Sequence, residues 1–366
     1  MTGRYSPNFR KKETDFVLGC WRKSESCSLV GVGSSGKSNL LRHLTAAPFK
    51  RAEKDDSLFR AVMIDPKMLS PIVVSEAPEA IRCWAGYELM IHHLYMAFYP
   101  FEMFSPQEID SLNNSYQAFQ DTKNPLYAYI SVRHFEFALS LFMRHDVQIV
   151  FMFDEFEEML KHLPVRFFLT LRGMRDAYKR QLSFLTFTRA PLPDLIAAYN
   201  IDTLHIEPFS EIFTDNQVFV GLYEEADARA MVKDVLHRYG KQVPDAAAQF
   251  LLWASGGHAG LLRTGAKVLD TLDLSLLQNQ PDDALKLFAA KEALRAENTI
   301  LWHSLSAPER RLLKTLSVAN PKVDLEAADT KATFELLLNK GLLIVHNRRV
   351  LLHPPVFQQY VAALGG

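Results

Sequence analysis

The 366-residue chain has only three cysteines, Cys20, Cys27 and Cys83, an odd number with no CxxC spacing. That argues against a disulfide framework or a thiolate zinc site and leaves reduced, buried thiols as the expectation. The chain also lacks any uninterrupted apolar run of about 20 residues, the length a membrane-spanning helix needs. Its most apolar stretches, Leu89–Phe98 and Tyr127–Met143, are interrupted by His92 and His93 and by Arg133, His134 and Glu136. Both suit helices buried in protein. Charge of one sign is missing too: the formal net charge is −1, so no global field draws the chain to nucleic acid or to an anionic membrane. There is no low-complexity tract and no internal repeat, and the opening residues MTGRYSPNFRKKETD are too polar for a secretory signal. A cytoplasmic protein without a membrane role is the default expectation.

What is present is the composition of a globular protein, 48% hydrophobic and 23% charged, in a chain long enough for two or three domains. Residues 1–24 read as a partly ordered lead-in. Ser28–Val32 is short, β-branched and apolar, and runs into a glycine-rich loop followed by a helix over Lys37–Thr45. Arg60–Ile64, stopped by Asp65-Pro66, is a second strand. Residues 77 to about 145 are mostly helical and read as an insertion. The continuous apolar run Val147–Phe153 is the pattern of a strand buried on both faces of a parallel sheet. Helices over Glu155–His162 and Val165–Arg180 follow, then a strand at Leu182–Phe187 and a weaker fifth at Thr203–Ile206. Strands alternating with helices predict an α/β sandwich with a parallel core sheet over residues 25–215.

From about residue 216 the pattern turns helical, with Glu224–Tyr239, Asp245–Ser255 and His258–Leu269 forming a lid domain up to residue 298. Residues 299–366 have a separate order: helix Ala307–Val318, helix Lys331–Lys340, then two short strands flanking Asn347-Arg348-Arg349. Helix, helix, hairpin describes a winged helix.

The loop Gly31-Val32-Gly33-Ser34-Ser35-Gly36-Lys37-Ser38 matches GxxxxGK[ST] in full. Its glycines let successive backbone N–H groups turn toward phosphates without a Cβ clash. Lys37 supplies a point charge, the Ser38 hydroxyl a ligand for Mg²⁺, and the helix N-terminus partial positive charge, with Asn39 next in line. Asp154-Glu155 ends the apolar strand, where ligands bind in open α/β sheets. Asp154 is placed to hold Mg²⁺ through water and Glu155 to polarise an attacking water. An acidic helix start favoured by the dipole is the alternative, since Glu157 and Glu158 continue the charge. Thr188-Arg189 ends the next strand, where it can contact a γ-phosphate or simply cap the sheet edge. Gly256-Gly257-His258-Ala259-Gly260-Leu261-Leu262-Arg263 opens a helix. Its glycines allow close approach to a nucleotide and Arg263 can reach a phosphate, or else His258 caps a helix corner. Arg172 and Arg175 are candidates for a finger reaching a neighbouring subunit's nucleotide, or a solvated helix face.

Together GVGSSGKS, IVFMFDEFE, FLTFTRAP and GGHAGLLR, closed by a winged helix, resemble the STAND branch of AAA+-like P-loop ATPases and the related archaeal-ATPase and replication-initiator groups. The resemblance runs from about Val17 onward. It implies that Lys37 and Ser38 are the Walker A pair, Asp154 and Glu155 the Walker B pair, and Thr188-Arg189 the sensor 1 position. It also places Arg263 where initiators carry a sensor 2 arginine. The family has proline where this chain has Ala259. The cofactors implied are ATP or ADP with Mg²⁺.

Three functions follow as expectations: an ATP-hydrolysing switch that controls assembly with a partner protein or with copies of itself, a DNA-binding ATPase of the initiator or transposition-regulator kind using the winged helix, and an ATP-binding interaction module with little hydrolysis. Sensing is expected from partner chains or from the insertion. For DNA, residues 301–366 hold eight Lys/Arg (Arg310, Arg311, Lys314, Lys322, Lys331, Lys340, Arg348, Arg349) against five Asp/Glu, a net of +3. The helix Lys331–Lys340, KATFELLLNK, is largely apolar and offers few groups for base edges. That places DNA second.

Overall fold

A strand with no polar residue to give to solvent must be covered on both faces, and this decides the sheet. In the computed structural model, which describes residues 5–45, 59–69, 77–121, 123–318, 323–325, 327–347 and 349–364, the strand β3 over Gln148–Phe153 is buried at every position. So are β1 (Cys27–Val30) and β4 (Leu182–Thr188), whereas β2 (Phe59–Ile64) exposes Met63. With β5 (Gln217–Phe219) they form a five-stranded sheet in the order β2-β3-β4-β1-β5, and the registered pairs β2/β3, β3/β4 and β4/β1 are all parallel.

The chain divides into two compact units, Met1–Val30 with Ser38–Val218, and Gly31–Lys37 with Phe219–Gly366. In the first, the predicted insertion consists of helices Glu79–Phe98, Pro106–Gln120 and Tyr127–Arg144. The second of these starts with a capping box, in which Ser105 and Glu108 satisfy each other's backbone N–H. Helix Glu79–Phe98 packs on β2, on Tyr127–Arg144 and on helix Val165–Ala177. The last approach requires Gly86, where an added Cβ would lie 2.5 Å from the Phe167 ring. Between helices and sheet sits a phenylalanine core. Phe184 of β4 touches the rings of Phe151, Phe153 and Phe209, and all four are below 2% exposed.

Two expectations for this unit need correction. Thr203–Ile206 is not a strand but the start of helix Thr203–Ser210, capped by the Asp202 side chain on the His205 N–H. Its buried residues Ile206 and Phe209 are three apart, the helical interval, and the fifth strand lies at β5 instead. The lead-in contains helix Lys11–Arg22, with Val17 and Trp21 buried, and the Trp21 carbonyl accepts a hydrogen bond from the Gln148 amide in β3.

The second unit carries helices Glu225–Arg238, Asp245–Ser255, Ala259–Val268, Leu274–Asn279, Pro281–Ala289 and Glu292–His303. Helices Ala307–Leu316 and Ala328–Asn339 follow, then an antiparallel hairpin of β6 (Leu343–His346) and β7 (Arg349–Leu352), and helix Pro355–Ala363. Asn347, at φ 49°, begins the reversal, while Arg348, expected at its tip, and Lys322 lie outside the described residues. Lys340 and Glu309 form a buried ion pair at 2.6 Å, with Glu309 also closing the capping box of Ser306.

Removing the ring at the centre of the first core is the direct check on this packing. Phe184→Ala is expected to cost about 3–5 kcal/mol, read as a lower midpoint in urea unfolding monitored by circular dichroism.

Candidate functional site

The glycine loop belongs to the second unit together with the groups that grip it. Ser34 (φ 55°) and Gly36 (φ 91°) flank Ser35 in the left-handed region, an alternation that turns successive N–H groups to one side and forms an anion-binding nest. Gly33 is held at both backbone groups: its N–H donates to Ser304 Oγ at 3.0 Å, and His258 Nε2 contacts its carbonyl at 3.0 Å. His258 Nδ1 accepts from the Leu261 N–H, so the proton sits on Nε2 and His258 donates to Gly33. Gly260 N–H donates to the Ser34 carbonyl at 3.0 Å. Val32 is wholly buried in a cluster with Leu301, Trp302 and Leu313. Lys37, 8% exposed, donates from Nζ to the Gly31 carbonyl at 2.7 Å.

This assigns the three glycines and the histidine of the Gly256–Gly260 motif a contact each. A side chain at Gly256 would collide with His353, one at Gly257 (φ 83°) with the Tyr223 backbone, and one at Gly260 with Glu297. His258 caps the helix and reaches the loop as well, so one imidazole does both tasks. Ala259 is the first helical residue, a position whose N–H has no helical partner and which tolerates proline as well as alanine. Tyr223 was missed from the sequence: its hydroxyl lies 2.5 Å from where a Gly36 Cβ would sit, and its N–H donates to the Gly257 carbonyl. Arg263 reaches Glu297 at 3.7 Å.

In the first unit, the ends of the strands line up. Val30 is opposite Thr188, Phe153 opposite Thr186, and Ile64 opposite Phe153, so the residues that follow each strand share one edge. Backbone bonds pin the acidic turn on both sides: Asp154 N–H donates to the Ile64 carbonyl and Phe156 N–H to that of Phe187. Between them Glu155 adopts φ 50°, a strained conformation for a non-glycine residue. Ser38 Oγ donates to Asp154 Oδ2 at 2.8 Å, joining the start of helix Lys37–Leu44 to the acidic strand. Asn39 is half-buried in the next turn.

Glu155 is engaged by two cations, Lys67 Nζ at 2.9 Å and Arg189 Nη2 at 3.7 Å. Lys67 is the second residue that sequence reasoning missed. Asp65 ends β2 and accepts from the Lys67 N–H, capping a turn over Pro66–Met68 that aims the lysine at the acid. Its ammonium is held above its ordinary pKa, chiefly by the hydrogen bond to Glu155. The signal available in the sequence was a cation just past a strand end. Arg189 N–H donates to the buried Glu157, while Thr188 is fully buried with an unpartnered hydroxyl.

The remaining candidates are engaged locally. Arg172 binds Asp176 at 2.7 Å and the Pro208 carbonyl at 2.6 Å, and Arg175 lies 3.6 Å from Asp176. Among the described residues, no group of three or more His, Cys, Asp or Glu could hold a metal, and no helix is long and apolar enough to cross a membrane. One hydroxyl and one carboxylate fit Mg²⁺, which keeps water and phosphate oxygens as its other ligands.

Sheet order, loop and acidic edge define the fold of a P-loop ATPase. A Walker-type ATPase of Pyrococcus abyssi superposes with a TM-score of 0.54 at 16% identity, over 96% of this chain and 95% of that one. Lower-scoring likenesses are the Orc1 protein of Aeropyrum pernix in complex with DNA (TM-score 0.42, 12% identity, 97% and 92% covered) and the RuvB Holliday junction branch migration motor of Thermotoga maritima (0.39, 12%, 97% and 94%). No family model and no curated protein matches the chain.

The grip on Gly33 is measurable without any ligand. His258→Ala removes a helix cap and a buried hydrogen bond, and should destabilise the protein by about 1–3 kcal/mol. Ser304→Ala should cost less. Unchanged urea midpoints for both would show that the loop is not held this way.

Proposed function

We propose that the chain binds ATP with Mg²⁺ on the loop Gly31–Ser38, hydrolyses it slowly, and uses the nucleotide state to control assembly with a protein partner or with its own copies. The observation that carries this reading is the Ser38–Asp154 hydrogen bond of 2.8 Å. It joins the last residue of a GxxxxGKS loop to a carboxylate at the end of a buried parallel strand.

On this reading Lys37 exchanges the Gly31 carbonyl for phosphate oxygens, and the nest of Ser34, Ser35 and Gly36 supplies N–H donors. Ser38 and Asp154 hold Mg²⁺, which when bound neutralises charge on the phosphates. Glu155 orients and deprotonates the attacking water once its carboxylate is released from Lys67, and Arg189 is beside it. The lid contacts of His258, Gly260 and Ser304 with the loop support a switch, because a change in loop backbone reaches two helices directly, at the start of Ala259–Val268 and the end of Glu292–His303. Arg263, paired with Glu297, is the lid cation proposed to meet phosphate. Arg172 or Arg175 acts on a neighbouring copy only after leaving Asp176.

We read residues 299–366 as a winged-helix-like segment that docks protein rather than DNA. Of the basic residues counted for DNA, Lys340 is buried against Glu309. The helix Ala328–Asn339 exposes Asp329 and Glu335 beside Lys331, a poor surface for phosphates. Salt-sensitive binding to duplex DNA at low ionic strength would reverse this order.

Phosphate release and nucleotide binding test the proposal together. Lys37→Ala should abolish ATP binding. Glu155→Gln should keep affinity within about threefold and lower turnover at least 100-fold, the loss expected when a general base is removed. Lys67→Ala, which frees Glu155, should raise turnover severalfold at unchanged affinity. Wild-type protein that neither binds nor hydrolyses ATP overturns the reading.

A further inference from the structure

A cleft of about 420 Å³ opens in the first unit where helices Glu79–Phe98, Tyr127–Arg144 and Val165–Ala177 come together. It is distinct in residue composition from the loop and the acidic edge, since none of its lining residues belongs to either. One wall is apolar, made by Cys83, Ala128 and Val132. Burial pushes the Cys83 thiol up to about 11, so it is a neutral surface there. Deeper in, Tyr87 is 2% exposed, and Thr170, on the same lining, donates its hydroxyl to the Arg166 carbonyl at 2.9 Å. The rim carries Arg133 and Arg166 against a single acid, Glu79. Arg133 has only a long, exposed contact with Glu136 at 3.6 Å, and Arg166 has no carboxylate partner among the described residues.

We propose that this cleft binds a small amphipathic carboxylate, its anionic head on the Arg166 guanidinium and its apolar body against Cys83, Ala128 and Val132. The volume lies in the range of small-molecule pockets, which combine apolar walls with a few placed polar groups. Two guanidiniums facing one carboxylate leave a net positive rim, and a guanidinium forms paired hydrogen bonds with a planar carboxylate. The N-terminal turns of the three helices face the same cleft and add partial positive charge. Arg166 shares the cleft with the apolar Cys83, Ala128 and Val132, a lining that favours an anion with hydrophobic bulk over inorganic phosphate. The site joins two helices of the insertion to Val165–Ala177, the second of two helices between the acidic strand and β4, so an occupant touches insertion and sheet-flanking helix together.

The test uses 2-naphthoate as probe, with the uncharged 2-naphthamide as its isostere, titrated calorimetrically into the full chain without nucleotide. The absence of nucleotide keeps its outcome independent of the ATPase reading. Naphthoate should bind at least tenfold more tightly than the amide, about 1.4 kcal/mol. Arg166→Gln, an exposed change that leaves the fold's melting temperature alone, should erase that difference. Ala128→Phe, which fills the slot, should abolish binding of both. No detectable naphthoate binding, equal affinity for the amide, or an unchanged affinity in Arg166→Gln each overturns the proposal.

Discussion

The chemistry of this protein depends on where β4 lies. Because it pairs with β1 on one side and β3 on the other, with Val30 opposite Thr188 and Phe153 opposite Thr186, the strand leading to the glycine loop never touches the acidic strand. The interval between them is one strand, about 4.8 Å in each direction. That interval brings Arg189, at the end of β4, to the same edge as Glu155, and lets Phe187 anchor the acidic turn through its carbonyl. A sheet with β1 directly beside β3 would carry the end of β4, and Arg189 with it, away from the acid, leaving Lys67 past the end of β2 as its cation. The hydroxyl–carboxylate contact of Ser38 and Asp154 spans this interval from the start of a helix.

Each group assigned a role with nucleotide is already satisfied by a protein neighbour. Lys37 donates to Gly31, Ser38 to Asp154, Lys67 and Arg189 neutralise Glu155, and Ser304 and His258 occupy the backbone of Gly33. Burying or half-burying these charges without partners would cost several kcal/mol. On the proposed reading, binding is therefore an exchange of hydrogen bonds rather than a net gain of them. An exchange has a consequence for coupling: a group that leaves one partner for a phosphate frees the partner it left. Release of Glu155 and loosening of the lid contacts are two such consequences, and they are the form that differential binding to two states takes.

Much of this was legible in the sequence, and the residues show why. GxxxxGKS and the run ending in Asp154-Glu155 are contiguous signals, set by local backbone geometry and by burial on both faces of a strand. Helix Asp245–Ser255 was predicted to the residue because Pro244 and Gly256 punctuate it. The strand expected at Thr203–Ile206 failed because four residues are too few to distinguish a period of two from one of 3.6. The decisive spacing, Ile206 to Phe209, lay past the window, and Asp202 reads as a helix cap only once that spacing is seen. The partners of Lys67, Tyr223 and Ser304 could not be read for another reason. They lie 88, 187 and 271 positions away in the chain, and no short-range pattern records such pairs.

The buried pair Lys340–Glu309 shows how a count of charges misleads when burial is unknown. Counted by composition, Lys340 adds to a basic terminal segment. In the fold its ammonium is 0% exposed and is held by a carboxylate that is itself a capping residue for helix Ala307–Leu316. A lysine so placed ties the end of helix Ala328–Asn339 to helix Ala307–Leu316 and contributes nothing to a phosphate-binding surface. What remains on the face of helix Ala328–Asn339 is Lys331 between Asp329 and Glu335, and a DNA backbone would meet more repulsion than attraction there. A protein surface has no such requirement of sign. The hairpin that follows exposes Ile344, Val345 and Leu351, side chains that gain by leaving water and have no counterpart in the phosphate backbone. Under the proposed reading, charge and hydrophobicity at this end of the chain therefore both support a protein partner.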